Sequence, residues 1–491
     1  MLFNSLIFIF VFLPITVFGY FLLNRYKLVN IAKIYLILAS LVFYGYWNVK
    51  YVPIIIGSVI FNFAIGTTLS NWVEREERHL RSKISKKAIL AVGIMANVLL
   101  LGYYKYCDFF IANFNFIFNA HLEFLHIALP LAISFFTFQQ ISYLVDSYKG
   151  QTKEYDFLNY TLFVTFFPQL IAGPIVRHNE MMPQFQKVRT KVFNWKNFCE
   201  GLFQFITGLF KKVFIADIVA VWANNGYANC EGISAIASWV VILSYTFQIY
   251  YDFSGYTDMA LGIGKMLNIY LPQNFNNPYS ATSIEDFWRK WHMTLSRFLK
   301  DYVYIPLGGN KTFMNIQTKF ASYINVMITF FISGLWHGAS WMFVIWGISH
   351  GIVNCINKFL RTHSINIPNK LSWLMTFIYI NLTWVFFRSE NITEAKNILK
   401  GVFCLNNFYL PKFRHLDVLY GPQTALYKES VFSLFVPLIL IFFIFFPVFN
   451  NLKNNFKPNT KYLVIAVILF VISVVRILNP NFESPFIYFN F

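Results

Sequence analysis

Ser333-Gly-Leu-Trp336-His337-Gly338-Ala-Ser-Trp341 joins two apolar runs, 322–336 and 342–357, with greasy residues for more than ten positions on either side of its histidine. An imidazole costs free energy to bury in hydrocarbon, so an ionisable residue at this depth is read as functional by default. The flanking runs set the solvent. Ten further runs of this kind recur through the chain, at 4–23, 31–47, 51–69, 88–104, 126–145, 158–176, 233–251, 371–387, 430–450 and 461–478. Most are long enough to cross a hydrocarbon core roughly 30 Å thick, and the shorter ones suit re-entrant segments. Of 491 residues, 57% are hydrophobic and only 13% charged, about half the charge of an ordinary soluble domain. The expected fold is all-α: a polytopic integral membrane protein with about 11–12 transmembrane helices plus re-entrant or interfacial helices.

The net charge of +18 raises a nucleic-acid partner as an alternative, but its distribution argues against one. Basic residues gather in short loops between apolar runs, as the positive-inside rule requires. Segment 71–87 carries Arg75, Arg78, Arg81, Lys83, Lys86 and Lys87 against three Glu, and loops 358–370 and 451–461 are basic with no acid. These charges read as an orientation signal with attraction to anionic lipid. They place the N-terminus outside, loops 289–320, 358–370 and 451–461 inside, and the tail 479–491 on the extracytoplasmic side. The middle does not close: two full spans over 105–176 would leave the basic stretch Arg177–Lys191 outside. A re-entrant or interfacial segment around 105–125 would restore the parity.

Several chemistries are absent from the sequence. The N-terminal run lacks a basic n-region and a cleavage site, so it reads as an anchor. Cys107, Cys199, Cys230, Cys355 and Cys404 are scattered, with neither metal-ligand spacing nor a disulfide framework. No phosphate-binding loop, dinucleotide fingerprint or G-x-S-x-G elbow occurs. No repeat links the two halves, which disfavours inverted-repeat transporters.

The region 252–310 is unlike a simple span. It runs from Asp252-Phe-Ser-Gly255-Tyr256-Thr-Asp258 through Asn274-Phe-Asn-Asn-Pro278-Tyr279 to Asp286-Phe-Trp288-Arg289-Lys290-Trp291-His292, then Ser296-Arg297 and Lys300-Asp301. Charges and broken backbone survive at membrane depth only where protein or a water-filled cavity satisfies them. Short helices and loops lining a cytoplasm-facing cavity are expected here, with Arg289, Lys290, Arg297 and Lys300 available to an anionic donor. Cytoplasmic charge with interfacial Trp anchors explains the same residues without a ligand. Asp252 and Asp258 are expected to satisfy buried backbone or to pair with Lys265, with cavity lining as the alternative, and His178 and His350 to be structural or interfacial.

These stretches, with Phe167-Pro-Gln-Leu-Ile-Ala-Gly-Pro174-Ile-Val-Arg177 and the terminal Phe486-Ile-Tyr488-Phe-Asn-Phe491, resemble the bacterial branch of the membrane-bound O-acyltransferase family. That branch includes alginate O-acetylase membrane components and peptidoglycan O-acetyltransferases. The resemblance covers residue 160 onward, whereas the first 150 match mainly in hydropathy. It implies a ring of tilted helices around a central tunnel joining the two membrane faces. It also implies 1–150 as N-terminal transmembrane helices, 151–370 as the catalytic core, 371–478 as C-terminal transmembrane helices, and 479–491 as a tail carrying FIYFNF. His337 matches the family histidine taken as catalytic base, and His292 the second functional position. Tyr488 matches a tail tyrosine thought to carry the acyl group transiently, although Asn490 stands where relatives often have Gln. Trp288, Arg289, Lys290, Arg297, Trp336 and Asn274 are the expected substrate-binding residues.

The implied activity is O-acetyl transfer from cytoplasmic acetyl-CoA, with no bound cofactor and no metal, to an envelope polysaccharide such as peptidoglycan or an alginate-like polymer. A separate extracytoplasmic SGNH/GDSL-hydrolase-like acetyltransferase would complete it, and the protein would reside in the cytoplasmic (inner) membrane. The alternatives are an acyltransferase for teichoic acid or lipid, and a polysaccharide exporter without chemistry.

Overall fold

In a computed structural model, residues 1–77, 85–311, 320–404, 448–479 and 486–487 are described. The apolar run 430–450 falls almost wholly outside them, as do Tyr488 and the last three residues of the terminal motif. Every regular element among the described residues is helical: α1 (Leu13–Arg25), α2 (Val29–Gly45), α3 (Val52–Glu77), α4 (Lys86–Leu101), α5 (Cys107–Phe118), α6 (Ile133–Tyr148), α7 (Phe157–Thr165), α8 (Phe167–Leu170), α9 (His178–Gln186) and α10 (Trp195–Phe210). There follow α11 (Asp217–Ala228), α12 (Ala235–Met266), α13 (Ile284–Lys290), α14 (Met293–Leu299), α15 (Ala321–His337), α16 (Trp341–Thr362), α17 (Asn369–Arg388), α18 (Ile392–Phe403), α19 (Val448–Asn454) and α20 (Thr460–Ile477). Among the described residues, six helical stretches are long and apolar enough to cross a bilayer: Phe8–Arg25, Val49–Val73, Lys86–Phe118, Trp341–Thr362, Asn369–Arg388 and Thr460–Ile477. Val29–Gly45 is apolar but shorter. On α20, Leu463, Val464, Val467, Val471 and Val475 are all exposed, as lipid contact requires and water would penalise.

The chain forms two compact units, Met1–Phe205 with Tyr256–Gln273, and Ile206–Gly255 with Asn274–Phe491. In the first, α3, α4 and α6 pack together and α1 pairs with α2. Polar side chains bind these helices where water cannot. Asn62 and Asn97 exchange amide hydrogen bonds of 3.1 and 2.6 Å, and Gln140 donates to Ser58 Oγ at 2.9 Å.

The segment around 105–125, expected to be re-entrant or interfacial, is helical up to Phe118: α4 passes through a π-turn at Gly102–Tyr106 into α5, making one continuous apolar helix from Lys86 to Phe118. The non-helical stretch begins only at residue 120. Conversely, 158–176 is not one span. Pro168 lacks an N–H and its ring crowds the carbonyl four residues earlier, so α7 stops at Thr165 and the chain resumes in a single turn, α8. The freed carbonyl of Phe163 accepts from both Gln139 Nε2 (2.8 Å) and Gln169 Nε2 (2.7 Å). This break, rather than one at 105, interrupts the spans before the basic stretch Arg177–Lys191.

In the second unit α15 and α16 form the principal hairpin. Ser340 caps α16 by accepting from Met342 N at 3.2 Å. Small residues let the two backbones meet: a Cβ on Gly347 would lie 2.5 Å from the carbonyl oxygen of Phe330 and 3.0 Å from Gly334 Cα. Close approach through facing small residues is how membrane helices gain packing when lipid offers no hydrophobic drive. It also fixes His337, the last residue of α15, against the face of α16 that carries Trp346.

Candidate functional site

His292 sits in a break between two short helices, neither of which is a span. Ser283 caps α13, its Oγ accepting from Asp286 N at 3.1 Å, and α13 ends at Lys290. His292 then takes a left-handed conformation (φ 41°, ψ 54°) before α14 begins. A non-glycine residue pays strain to stay there, so its surroundings must hold it. They do so through Asn274. The Asn274 carbonyl accepts from Met293 N at 2.9 Å, and Asn276 N donates to Lys290 O at 2.9 Å. Asn274 Oδ1 accepts from Thr294 N (3.3 Å) and Thr294 Oγ1 (2.6 Å), and lies 3.2 Å from His292 Nδ1.

This arrangement assigns the tautomer. A backbone N–H can only donate, so the Asn274 atom facing Thr294 is an oxygen, and the imidazole nitrogen beside it must carry the proton. Nε2 is therefore the basic nitrogen of His292. Asn274 is fully buried, and its Nδ2 has no hydrogen-bond partner among the described residues. The loop that carries it is pinned elsewhere: Tyr279 O–H donates to Thr246 O (2.7 Å), and Trp373 Nε1 donates to Tyr279 O (2.9 Å).

Burial pushes the His292 imidazole down from the ordinary 6.5 to about 3. It is thus neutral near pH 7, as a proton acceptor must be. Its folded pKa lies below the unfolded value, so its contribution to stability is complete above about pH 6.5 and is lost as pH falls toward 3. The slope between those limits reaches about 1.4 kcal/mol per pH unit. Thermal unfolding in detergent from pH 7.5 to 4.5 should therefore show a midpoint that falls with acid. The decline should be shallower for His292→Asn, since Asn tolerates the left-handed conformation. Parallel curves for the two proteins would contradict the assignment.

His337 is 2% exposed at the C-terminal end of α15. Its ring lies among Trp336, Trp346 and Phe387, with centroids 4.9, 5.0 and 5.1 Å away. Trp336 also reaches the other histidine, 6.2 Å from the His292 ring. Asn274, His292, Trp336 and His337 thus form one connected group.

The other expected residues lie elsewhere. Arg289 is 69% exposed and pairs with Glu285 at 2.6 Å, and Lys290 pairs with Asp286 at 2.8 Å. Both are held by carboxylates one turn back on α13. Arg361 also reaches Glu285, at 2.8 Å. Arg297 is half-buried on α14. Trp288 joins a neighbouring cluster, with its ring 5.2 Å from His350 and 5.7 Å from Trp346.

His350, expected to be structural or interfacial, lies beside this group. It is fully buried, 4.8 Å from Trp346, and neither ring nitrogen has a hydrogen-bond partner among the described residues. Trp346 therefore stands between two buried histidines, and the 13-residue separation across a helical hairpin gave no local signal of it. His178, by contrast, is paired with Glu154 at 3.2 Å, as a structural histidine should be. Of the two roles expected for Asp252 and Asp258, Asp252 satisfies a backbone N–H, that of Ile487 at 2.9 Å, and pairing with Lys265 is not found. Lys265 binds Glu200 at 2.6 Å, Asp258 accepts from Gln204 at 3.3 Å, and Asp252 binds Lys212 at 2.7 Å. Among the described residues no three His, Cys, Asp or Glu side chains gather as a metal site.

Comparison with known proteins identifies the family. The sequence model of the membrane-bound O-acyltransferase family matches residues 147–389. A peptidoglycan O-acetyltransferase of Helicobacter pylori is 43% identical over 100% of this chain and 98% of its own length. This chain belongs to the membrane-bound O-acyltransferase family. It is an acyltransferase and a multi-pass membrane protein. A probable alginate O-acetylase of Pseudomonas aeruginosa is 36% identical, covering 85% of this chain and 78% of its own. A teichoic acid D-alanyltransferase of Bacillus subtilis is 30% identical over 50% of this chain and 62% of its own. The family match spans the loop of Asn274, the break at His292 and the α15–α16 hairpin. Every member of the connected group thus lies inside the region that defines the membrane-bound O-acyltransferases.

Proposed function

We propose that this acyltransferase takes acetyl from cytoplasmic acetyl-CoA and passes it across the inner membrane for O-acetylation of peptidoglycan. The observation that carries the reading is the full-length likeness to a protein named peptidoglycan O-acetyltransferase. An alginate-like polymer ranks below it because those relatives are less similar. Teichoic acid ranks lower still, since that likeness covers only half of the chain.

The chemistry follows from the group of side chains. A thioester is already activated, so the protein must supply position, a base and help for the oxyanion. Neutral His337 removes the proton from an acceptor hydroxyl, and the resulting oxygen attacks the thioester carbonyl carbon. Asn274 Nδ2 is a buried amide donor available to the developing oxyanion. His292, held by Asn274, orients the reacting groups through Nε2. The tetrahedral intermediate collapses with cleavage of the C–S bond, and the thiolate recovers the proton from the His337 imidazolium. An ester and a free thiol result, and no other reactant is needed.

In this reading the first hydroxyl acceptor is Tyr488. The tail lies on the extracytoplasmic side, where an SGNH/GDSL-hydrolase-like transferase collects the acetyl group and delivers it to the polymer. Purified protein incubated with radiolabelled acetyl-CoA should acquire a covalent label in the wild type and none in Tyr488→Phe, with the label mapped to the terminal peptide. Label undiminished in Tyr488→Phe would remove the tail intermediate. Unchanged peptidoglycan acetylation in cells lacking this protein would overturn the acceptor.

A further inference from the structure

The tail is gripped by its backbone. Ile487 N–H donates to Asp252 Oδ2 at 2.9 Å. Phe486 is 2% exposed, and its ring lies 6.4 Å from that of Phe253. Asp252 is itself 1% exposed, and its other oxygen sits 2.7 Å from Lys212 Nζ. Lys212 is also bound by Asp217, at 2.6 Å. Asp252 is thus a buried carboxylate with one oxygen against an ammonium and the other accepting a charge-assisted hydrogen bond from a backbone N–H.

The local fold is shaped to make this cluster. Lys211–Ala216 is a π-turn, a rare conformation that recurs at functional sites. One turn beyond Asp252 on α12, Gly255 faces it, and a Cβ there would come within 2.7 Å of Gly208 O and 3.0 Å of Lys212 N. Glycine thus allows the approach that brings Lys212 to Asp252. The next residue, Phe253, lays its ring edge-to-face on His292 at 4.8 Å. Neighbouring positions on α12 therefore hold the tail and touch the site histidine.

We propose that Asp252 is the positioning residue that docks the C-terminal tail through the Ile487 N–H, setting Phe486 against Phe253, whose ring lies on His292. That acetyl label on the tail depends on this docking rests on the reading of Tyr488 as carrier; the docking itself does not. Recognition through a backbone N–H makes a clear prediction about side chains. Ile487→Ala keeps the donor, and Ile487→Pro removes it without touching Asp252, Lys212 or Asp217.

Docking is read first, by the rate at which N-ethylmaleimide modifies a Phe486→Cys reporter in the full-length protein. Mass spectrometry at position 486 keeps the five native cysteines out of the measurement. Adding Ile487→Ala should leave modification slow, and adding Ile487→Pro should speed it about ten-fold or more, the loss expected for a hydrogen bond to a buried charge. In the Phe486 protein, Ile487→Pro should also abolish acetyl label on the tail while Ile487→Ala retains it, at equal thermal midpoints. Equal modification rates for the Ala and Pro variants would overturn the docking. Faster modification in the Pro variant with tail label intact would overturn the positioning role. Loss of the carrier reading is a separate result, seen when Tyr488→Phe keeps its label.

Discussion

His337→Ala should lower acetyl transfer by about 10²–10⁴-fold, the usual worth of a general base, while leaving the protein folded. The side chain is small relative to the cage of Trp336, Trp346 and Phe387, so its loss removes a ring from an aromatic cluster rather than a support of the α15–α16 hairpin, whose crossing is set by Gly334 and Gly347. Radiolabel incorporation and size-exclusion behaviour, measured on the same preparation, separate the two effects. A folded variant that still acquires label at the wild-type rate would sink the assignment. If it then fell to His350→Ala to remove the label, the base would be the histidine on the far side of Trp346.

Much of this was legible in the sequence because membrane insertion leaves a coarse signal. Helices that face lipid need long apolar runs, and 4–23, 51–69, 342–357, 371–387 and 461–478 each correspond to a helix of spanning length. The Trp-His-Gly hairpin and the polar stretch 274–292 announced themselves because their residue types are costly at that depth. Partners were harder to read. Asp252 binds Lys212, forty positions earlier on another element, whereas the nearer Lys265 is taken by Glu200. The signal was present in Lys211-Lys212 within an apolar stretch, since buried cations demand carboxylates, but hydropathy averages such a pair away. Backbone breaks were also misplaced. Hydropathy cannot see that Pro168 ends α7, nor that a π-turn carries α4 into α5, because both are decided by hydrogen-bond geometry. The role of Asn274 was underestimated for a related reason. Its amide contacts His292 and Thr294 across eighteen and twenty residues, and reading it as a substrate contact missed its hold on the histidine.

That hold carries the second large effect. Asn274→Leu matches the side chain in size but removes the acceptor of His292 Nδ1, Thr294 N and Thr294 Oγ1, all buried. Each donor left without a partner costs about 1–3 kcal/mol, and the left-handed backbone of His292 loses its support. The imidazole is then free to turn or to exchange tautomer, so the basic nitrogen no longer faces a fixed direction. Acetyl transfer should fall by about 100-fold or more even in the fraction that folds, since a misplaced base forfeits most of its advantage. Asn274→Asp gives the contrasting result. Its carboxylate keeps the acceptor and the geometry, but the new negative charge favours the imidazolium and raises the His292 pKa from its buried value of about 3. Activity should then survive at alkaline pH and fall as His292 gains a proton, so the acid limb of the rate profile moves upward. A leucine variant with wild-type activity would show that the tautomer set by Asn274 is irrelevant to transfer. An aspartate variant with an unmoved acid limb would show that His292 titrates outside the reaction.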